Sequence, residues 1–137
     1  MKTVSLKTED FDAAFAFYQA VRAEFPALSP DSFRDALSRN LARGSVRGVW
    51  CGEKLAGLLV YSPILARISF LAVHPDFRRR GIAWALMTDV LALLGGKAEL
   101  YTYEKDTPAL ALYRSLGFRE AGTADGYAVP VLRMVKE

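Results

Sequence analysis

One cysteine, Cys51, and one histidine, His74, stand in a chain of 137 residues. A single thiol excludes an internal disulfide and suits a reducing compartment. One of each also falls short of a usual zinc site, so no metal is expected. No run of ~20 apolar residues occurs, and neither a transmembrane helix nor a membrane partner is expected. The longest candidate, Leu86–Leu94, is broken by Thr88 and Asp89. Residues Met1–Lys7 carry no apolar stretch ahead of a small-residue cleavage site, which points to a cytoplasmic location. Gly-x-Ser-x-Gly, the Walker A loop and Gly-x-Gly-x-x-Gly are all missing, which removes three common hydrolase and nucleotide-binding readings.

What is present is a core. Apolar residues make up 52% and aromatics 12% of the chain, too many for a disordered segment. The length predicts a single domain over residues 1–137. Eighteen Lys and Arg against fifteen Asp and Glu leave a net charge of +3, enough to favour an anionic ligand but not to imply nucleic acid.

Apolar spacing divides the chain into elements. A short strand, Val4–Leu6, precedes a helix whose Phe11, Ala14, Phe15, Tyr18, Val21 and Phe25 recur at helical intervals up to Pro26. Ser29-Pro30-Asp31 opens a second helix that Gly44 stops. Three β-rich runs follow, Val46–Cys51, Leu55–Tyr61 and Ile64–Val73, read as an antiparallel meander. The third is apolar on both faces, with Ile68, Phe70 and Ala72 against Leu71 and Val73, so it is expected to be central and covered on both sides. A helix from about Arg79 to Leu94 and a strand Glu99–Glu104 complete a strand–helix–strand unit, hence a parallel pair. A helix with Ala109, Leu112, Tyr113 and Leu116 on one side then leads to two closing strands, Phe118–Ala121 and Val129–Val135. The order βααβββαβαββ predicts an α/β fold with a mixed sheet.

The chemistry is expected where the strand ending at Val73 passes through Arg78-Arg79-Arg80-Gly81-Ile82-Ala83 into an apolar helix. Backbone N–H groups at a helix start lack intrahelical partners, and the helix dipole makes that end an anion site. Gly81 lacks the Cβ that would hold a phosphate away.

The segment Leu71–Leu86 resembles the acetyl-coenzyme A signature of the GCN5-related N-acetyltransferase (GNAT) family, whose core Arg/Gln-x-x-Gly-x-Gly/Ala reads Arg78-x-x-Gly81-x-Ala83 here. A second block, Ala109-Leu110-Ala111-Leu112-Tyr113-Arg114-Ser115-Leu116-Gly117-Phe118, is similar to the family's A-x-x-L-Y-x-x-x-G-F segment. The resemblance implies the GNAT fold, in which the central parallel pair splays. It implies an enzyme that moves an acetyl group from acetyl-CoA directly to a primary amine of a small molecule or protein. Arg78, Arg79, Arg80, Gly81, Ile82 and Ala83 would hold the diphosphate. Leu71, Ala72 and Val73 would pair with the pantetheine arm, and an N–H near Leu71 would polarise the acetyl carbonyl. Asp106 and Ala109 would meet the coenzyme, and Tyr113 would protonate the departing thiolate.

Two positions depart from the family. Asp106 stands where Asn is common, and its charge would repel phosphate if turned toward it. The strand Ile64–Val73 holds no carboxylate, although an acceptor ammonium must lose a proton before it attacks. Glu104, at the end of the splaying strand, is the candidate base. These departures keep a second class open, a module that binds acetyl-CoA without turnover. A nucleic-acid binder using Arg78–Arg80 would need interleaved exposed aromatics that the sequence lacks, so no nucleic acid partner is expected. The resemblance implies that acceptor choice falls to residues 24–31 and 122–131, and a homodimer through the final strands is compatible with the pattern.

Overall fold

Local chemistry sets the element boundaries in the computed structural model, which describes residues 1–137. The chain runs β1 (Val4–Ser5), α1 (Phe11–Val21), α2 (Pro30–Arg43), β2 (Val46–Cys51), β3 (Lys54–Ser62), β4 (Arg67–Val73), α3 (Ile82–Leu93), β5 (Ala98–Tyr103), α4 (Thr107–Ser115), β6 (Arg119–Ala124) and β7 (Val131–Lys136). The Ser29 hydroxyl accepts the Ser32 amide at 3.1 Å and caps α2, with Pro30 as its first residue. Gly44 ends α2 in the left-handed conformation, φ 75°. Asp106 caps α4 by accepting the Ala109 amide at 3.2 Å.

The strands form one seven-stranded sheet in the order β1-β2-β3-β4-β5-β7-β6. Only β4 and β5 are parallel; every other neighbouring pair is antiparallel. Helices α1 and α2 cover one face, burying Phe15, Tyr18, Phe33 and Leu37 with Leu58, Val60, Phe70 and Ala72. Helices α3 and α4 cover the other, where Ile82, Leu86, Val90 and Tyr113 meet Leu59, Tyr61, Leu100 and Met134. The start of α3 lies directly on the sheet at Gly57, where an added Cβ would stand 2.5 Å from Cγ2 of Ile82.

Several expectations are corrected. Helix α1 stops at Val21 and a 3-10 turn carries the chain through Arg22–Glu24, so Phe25 lies beyond it. The third strand starts at Arg67 rather than Ile64, because the Ser62 hydroxyl accepts the Leu65 amide and Ala66 takes a positive φ of 49°. Its faces also differ from strict alternation. The register of β3 against β4 shifts between Val60↔Phe70 and Tyr61↔Ile68, leaving Ser69 as a bulge. Ile68 therefore shares the α3/α4 side with Leu71 and Val73, while Phe70 and Ala72 face α1 and α2. Nor is β4 covered throughout: Ser69 is exposed and Leu71 and Val73 are half-buried. Helix α3 begins at Ile82, three residues later than expected. Strand β6 extends to Ala124 rather than Ala121, and β7 inserts between β5 and β6, an order for which the sequence carries no expectation.

A cleft between parting strands

The parallel ladder between β4 and β5 holds only Arg67↔Glu99 and Ile68↔Leu100. Glu99 fastens that closed end, taking Arg67 at 2.8 Å and Arg133 of β7 at 3.3 Å. Partial burial alone would raise the Glu99 carboxyl, but hydrogen bonds and charge from the two arginines hold it below the usual carboxylate range. Past Ile68 and Leu100 the strands part, and β5 is held by β7 alone as far as Tyr103↔Val131. The gap opens into a cleft of about 720 Å³ outside the carboxyl ends of the two strands, the place where open α/β sheets take ligands.

One wall is the free edge of β4. The His74 N–H donates to the Ala56 carbonyl on β3 at 2.8 Å. Antiparallel alternation then turns the N–H and C=O of Ala72 and Phe70 toward β3, and those of Leu71 and Val73 into the cleft. Arg78 donates from Nε and Nη2 to the Val73 carbonyl, both at 3.3 Å.

The mouth of the cleft is the start of α3. Arg79 and Gly81 both take positive φ, 62° and 79°, which folds the loop back over the helix end. Where α2 and α4 have side-chain caps, α3 begins on Gly81, which has none. The first helical bond there is the Ala85 amide to the Gly81 carbonyl, 3.0 Å, so the amides of Ile82, Ala83 and Trp84 have no intrahelical acceptor. Open N–H groups, the helix dipole and two arginines at one end of a cleft make an anion cradle.

The other wall is α4. Tyr113 is only 7% exposed, yet it lines the cleft and its hydroxyl has no protein hydrogen-bond partner. Burial first, and the Asp106 carboxylate second, push that hydroxyl well above the usual tyrosine range. Tyr113 is therefore a neutral phenol at physiological pH, a donor rather than a base. Asp106 lines the cleft too, but its carboxylate is turned to the Ala109 amide as the helix cap.

At the far end the cleft is aromatic. The Phe25 and Phe70 rings lie 4.6 Å apart, and the Tyr103 hydroxyl accepts the Ala27 amide at 3.2 Å, tying β5 to the α1–α2 link. Glu24 stands at this end and pairs with Arg78 at 2.5 Å.

The structure thus brings Leu71, Ala72, Val73, Arg78, Arg79, Gly81, Ile82, Ala83, Asp106, Ala109 and Tyr113 to one cleft. Arg80 does not line it; its guanidinium lies over the Phe77 ring at 5.2 Å. Glu104 does not line it either. It is exposed in the turn after β5, outside the cleft lining, where its amide donates to the Pro130 carbonyl at 3.0 Å. Trp84 and Thr102 line the cleft without having been singled out by the sequence, and Glu24 was included only as the first residue of the segment 24–31. An acidic residue just after a helix and a polar residue inside a strand carry no local pattern that marks them.

Comparison with known proteins agrees with this geometry. Residues 9–118 match the model of the acetyltransferase (GNAT) family. A [ribosomal protein bS18]-alanine N-acetyltransferase of Salmonella typhimurium is 29% identical over 93% of this chain and 87% of its own length. A mycothiol acetyltransferase of Clavibacter sepedonicus is 42% identical over 41% of this chain, and the protein YqkA of Bacillus subtilis 38% over 51%. The aligned segments span only 20% and 22% of those two proteins. Among solved structures, the ribosomal-protein-S18-alanine N-acetyltransferase of Escherichia coli superposes with a TM-score of 0.77 at 26% identity, covering 98% of this chain and 91% of that one. PaiA N-acetyltransferase of Thermoplasma acidophilum, solved with coenzyme A, superposes at 0.79 with 14% identity, covering 99% and 98%.

Proposed function

The chain belongs to the acetyltransferase (GNAT) family, and from that premise we propose that it transfers an acetyl group from acetyl-CoA directly to a primary amine. The observation that carries this reading is the uncapped start of α3, with Gly81 at its head, placed at the mouth of a cleft formed by parting parallel strands.

The Ile82, Ala83 and Trp84 amides bind the diphosphate, with Arg78 and Arg79 adding charge. The pantetheine arm lies along β4 and hydrogen-bonds the backbone of Leu71 and Val73 as an added strand would. The acetyl carbonyl then takes the Leu71 N–H, and polarisation of this kind contributes ~3 kcal/mol per donor to such transfers. The amine enters from the Phe25, Phe70 and Tyr103 end, where Glu24, paired with Arg78, lines the cleft. The first proton of its ammonium form leaves to water at that end. The nitrogen attacks the carbonyl carbon, and the C–S bond breaks as the Tyr113 hydroxyl gives its proton to the thiolate. The second proton leaves the nitrogen to solvent, from which the Tyr113 phenol is restored. The Salmonella relative, aligned along most of the chain, acts on the alanine of a ribosomal protein. A peptide N-terminus is therefore the first acceptor to test.

Calorimetric titration with acetyl-CoA tests the cradle. The parent chain binds, and Gly81→Val, which forces a β-branched residue to φ 79°, weakens binding at least tenfold at about 1–2 kcal/mol of strain. Equal affinity in the two proteins would contradict the assignment.

A further inference from the structure

Helices α1 and α2 cover their face of the sheet only over β1–β4. On the same face β5 and β7 carry Glu99, Tyr101 and Tyr103 with the in-register partners Val135, Arg133 and Val131; the two valines are buried, and the exposed strip is Tyr101 with Arg133. Tyr101 is 39% exposed, lines the cleft, and has the Arg67 guanidinium over its ring at 5.6 Å. The floor of the acceptor end therefore continues as a narrow exposed strip with Ser69 and Tyr101 at its inner edge and Arg67 and Arg133 beyond.

The charge of that strip is fixed by three groups. Arg67 spends Nε and Nη2 on one Glu99 oxygen, and Arg133 spends a single Nη2 bond on the other. Both Glu99 oxygens are thus engaged, while the two arginines, 37% and 39% exposed, keep further N–H donors free. The trio carries one net positive charge beside the acceptor end, whereas the Glu24–Arg78 pair at that end has no net charge. An acceptor's anionic group is therefore drawn toward Arg133 while its amine points to the thioester.

Resting on the acetyltransferase reading, we propose that the exposed Tyr101–Arg133 strip of β5 and β7 is an acceptor subsite that selects primary amines bearing a carboxylate, with Arg133 as its specificity-determining residue. Binding is measured on protein saturated with coenzyme A, using the amidated peptides Ala-Glu-Ala and Ala-Gln-Ala, which differ in one charge. The glutamate peptide binds about twofold to fivefold more tightly, in line with exposed charge pairs, and the difference shrinks with added salt. Arg133→Gln abolishes the difference, and Arg133→Glu reverses it. Equal binding of the two peptides, binding of neither at millimolar concentration, or a preference that survives Arg133→Gln overturns the subsite. Failure of the acetyltransferase reading registers separately, as absence of any stabilisation by coenzyme A before peptide is added.

Discussion

Single residues decide the chemistry of the cleft. Tyr113 is useful because burial keeps it a neutral phenol facing an apolar slot, so it holds the proton that a departing thiolate needs. Tyr113→Phe is expected to lower the turnover rate about 100-fold, the usual scale for a lost proton donor, while coenzyme A still raises the melting temperature. Because the hydroxyl is held above its usual range, an alkaline fall in rate below pH 10 in the parent chain belongs to another group and should persist in Tyr113→Phe. The sequence made Gly81 and Ala83 legible as small residues at the start of an apolar helix, whereas Tyr113 stood out only through the resemblance of its flanking block to the family. Glu24 was not legible. Its importance comes from Arg78, fifty-four residues away, and no spacing rule connects them.

Elements place those residues. The bulge at Ser69 puts Ile68 on the α3/α4 side while Leu71 and Val73 border the cleft. An alternating run such as Ile68-Ser69-Phe70-Leu71-Ala72 fits either phase of a strand, so only the pairing with β3 reveals the shift. Glu99 is the fastening at the closed end of the parting strands. Its carboxyl is held below the usual range, so it stabilises the fold above pH ~4.3 and loses that contribution as pH falls through its folded-state value. Glu99→Gln is expected to lower the thermal midpoint by about 3 °C at neutral pH. The gap between the two proteins should close in acid, and a constant gap from pH 7 to 3 would contradict the ion-pair role. Gly57 places α3. Its substitution by Val sets a side chain against Ile82 and Leu86 and is expected to destabilise the fold by about 1–3 kcal/mol. Acetyl-CoA affinity should fall with it, because the anion cradle is the first turn of the displaced helix.

The whole molecule is a sheet pinned at one end of its single parallel pair and open at the other. Strand β7 returns to sit between β5 and β6 and holds β5 where it has left β4. Fold class and element order were legible from periodicity and turn residues. The insertion of β7 was not, since short closing strands carry no signal of which neighbour they join. The measurement that tests the account most directly is release of free thiol from acetyl-CoA on addition of a peptide with a free N-terminus, in the parent chain and in Gly81→Val. The account predicts amine-dependent thiol release that falls at least tenfold at subsaturating acetyl-CoA in the variant. No amine-dependent release from a parent chain that binds acetyl-CoA, or equal release from both proteins, would contradict it.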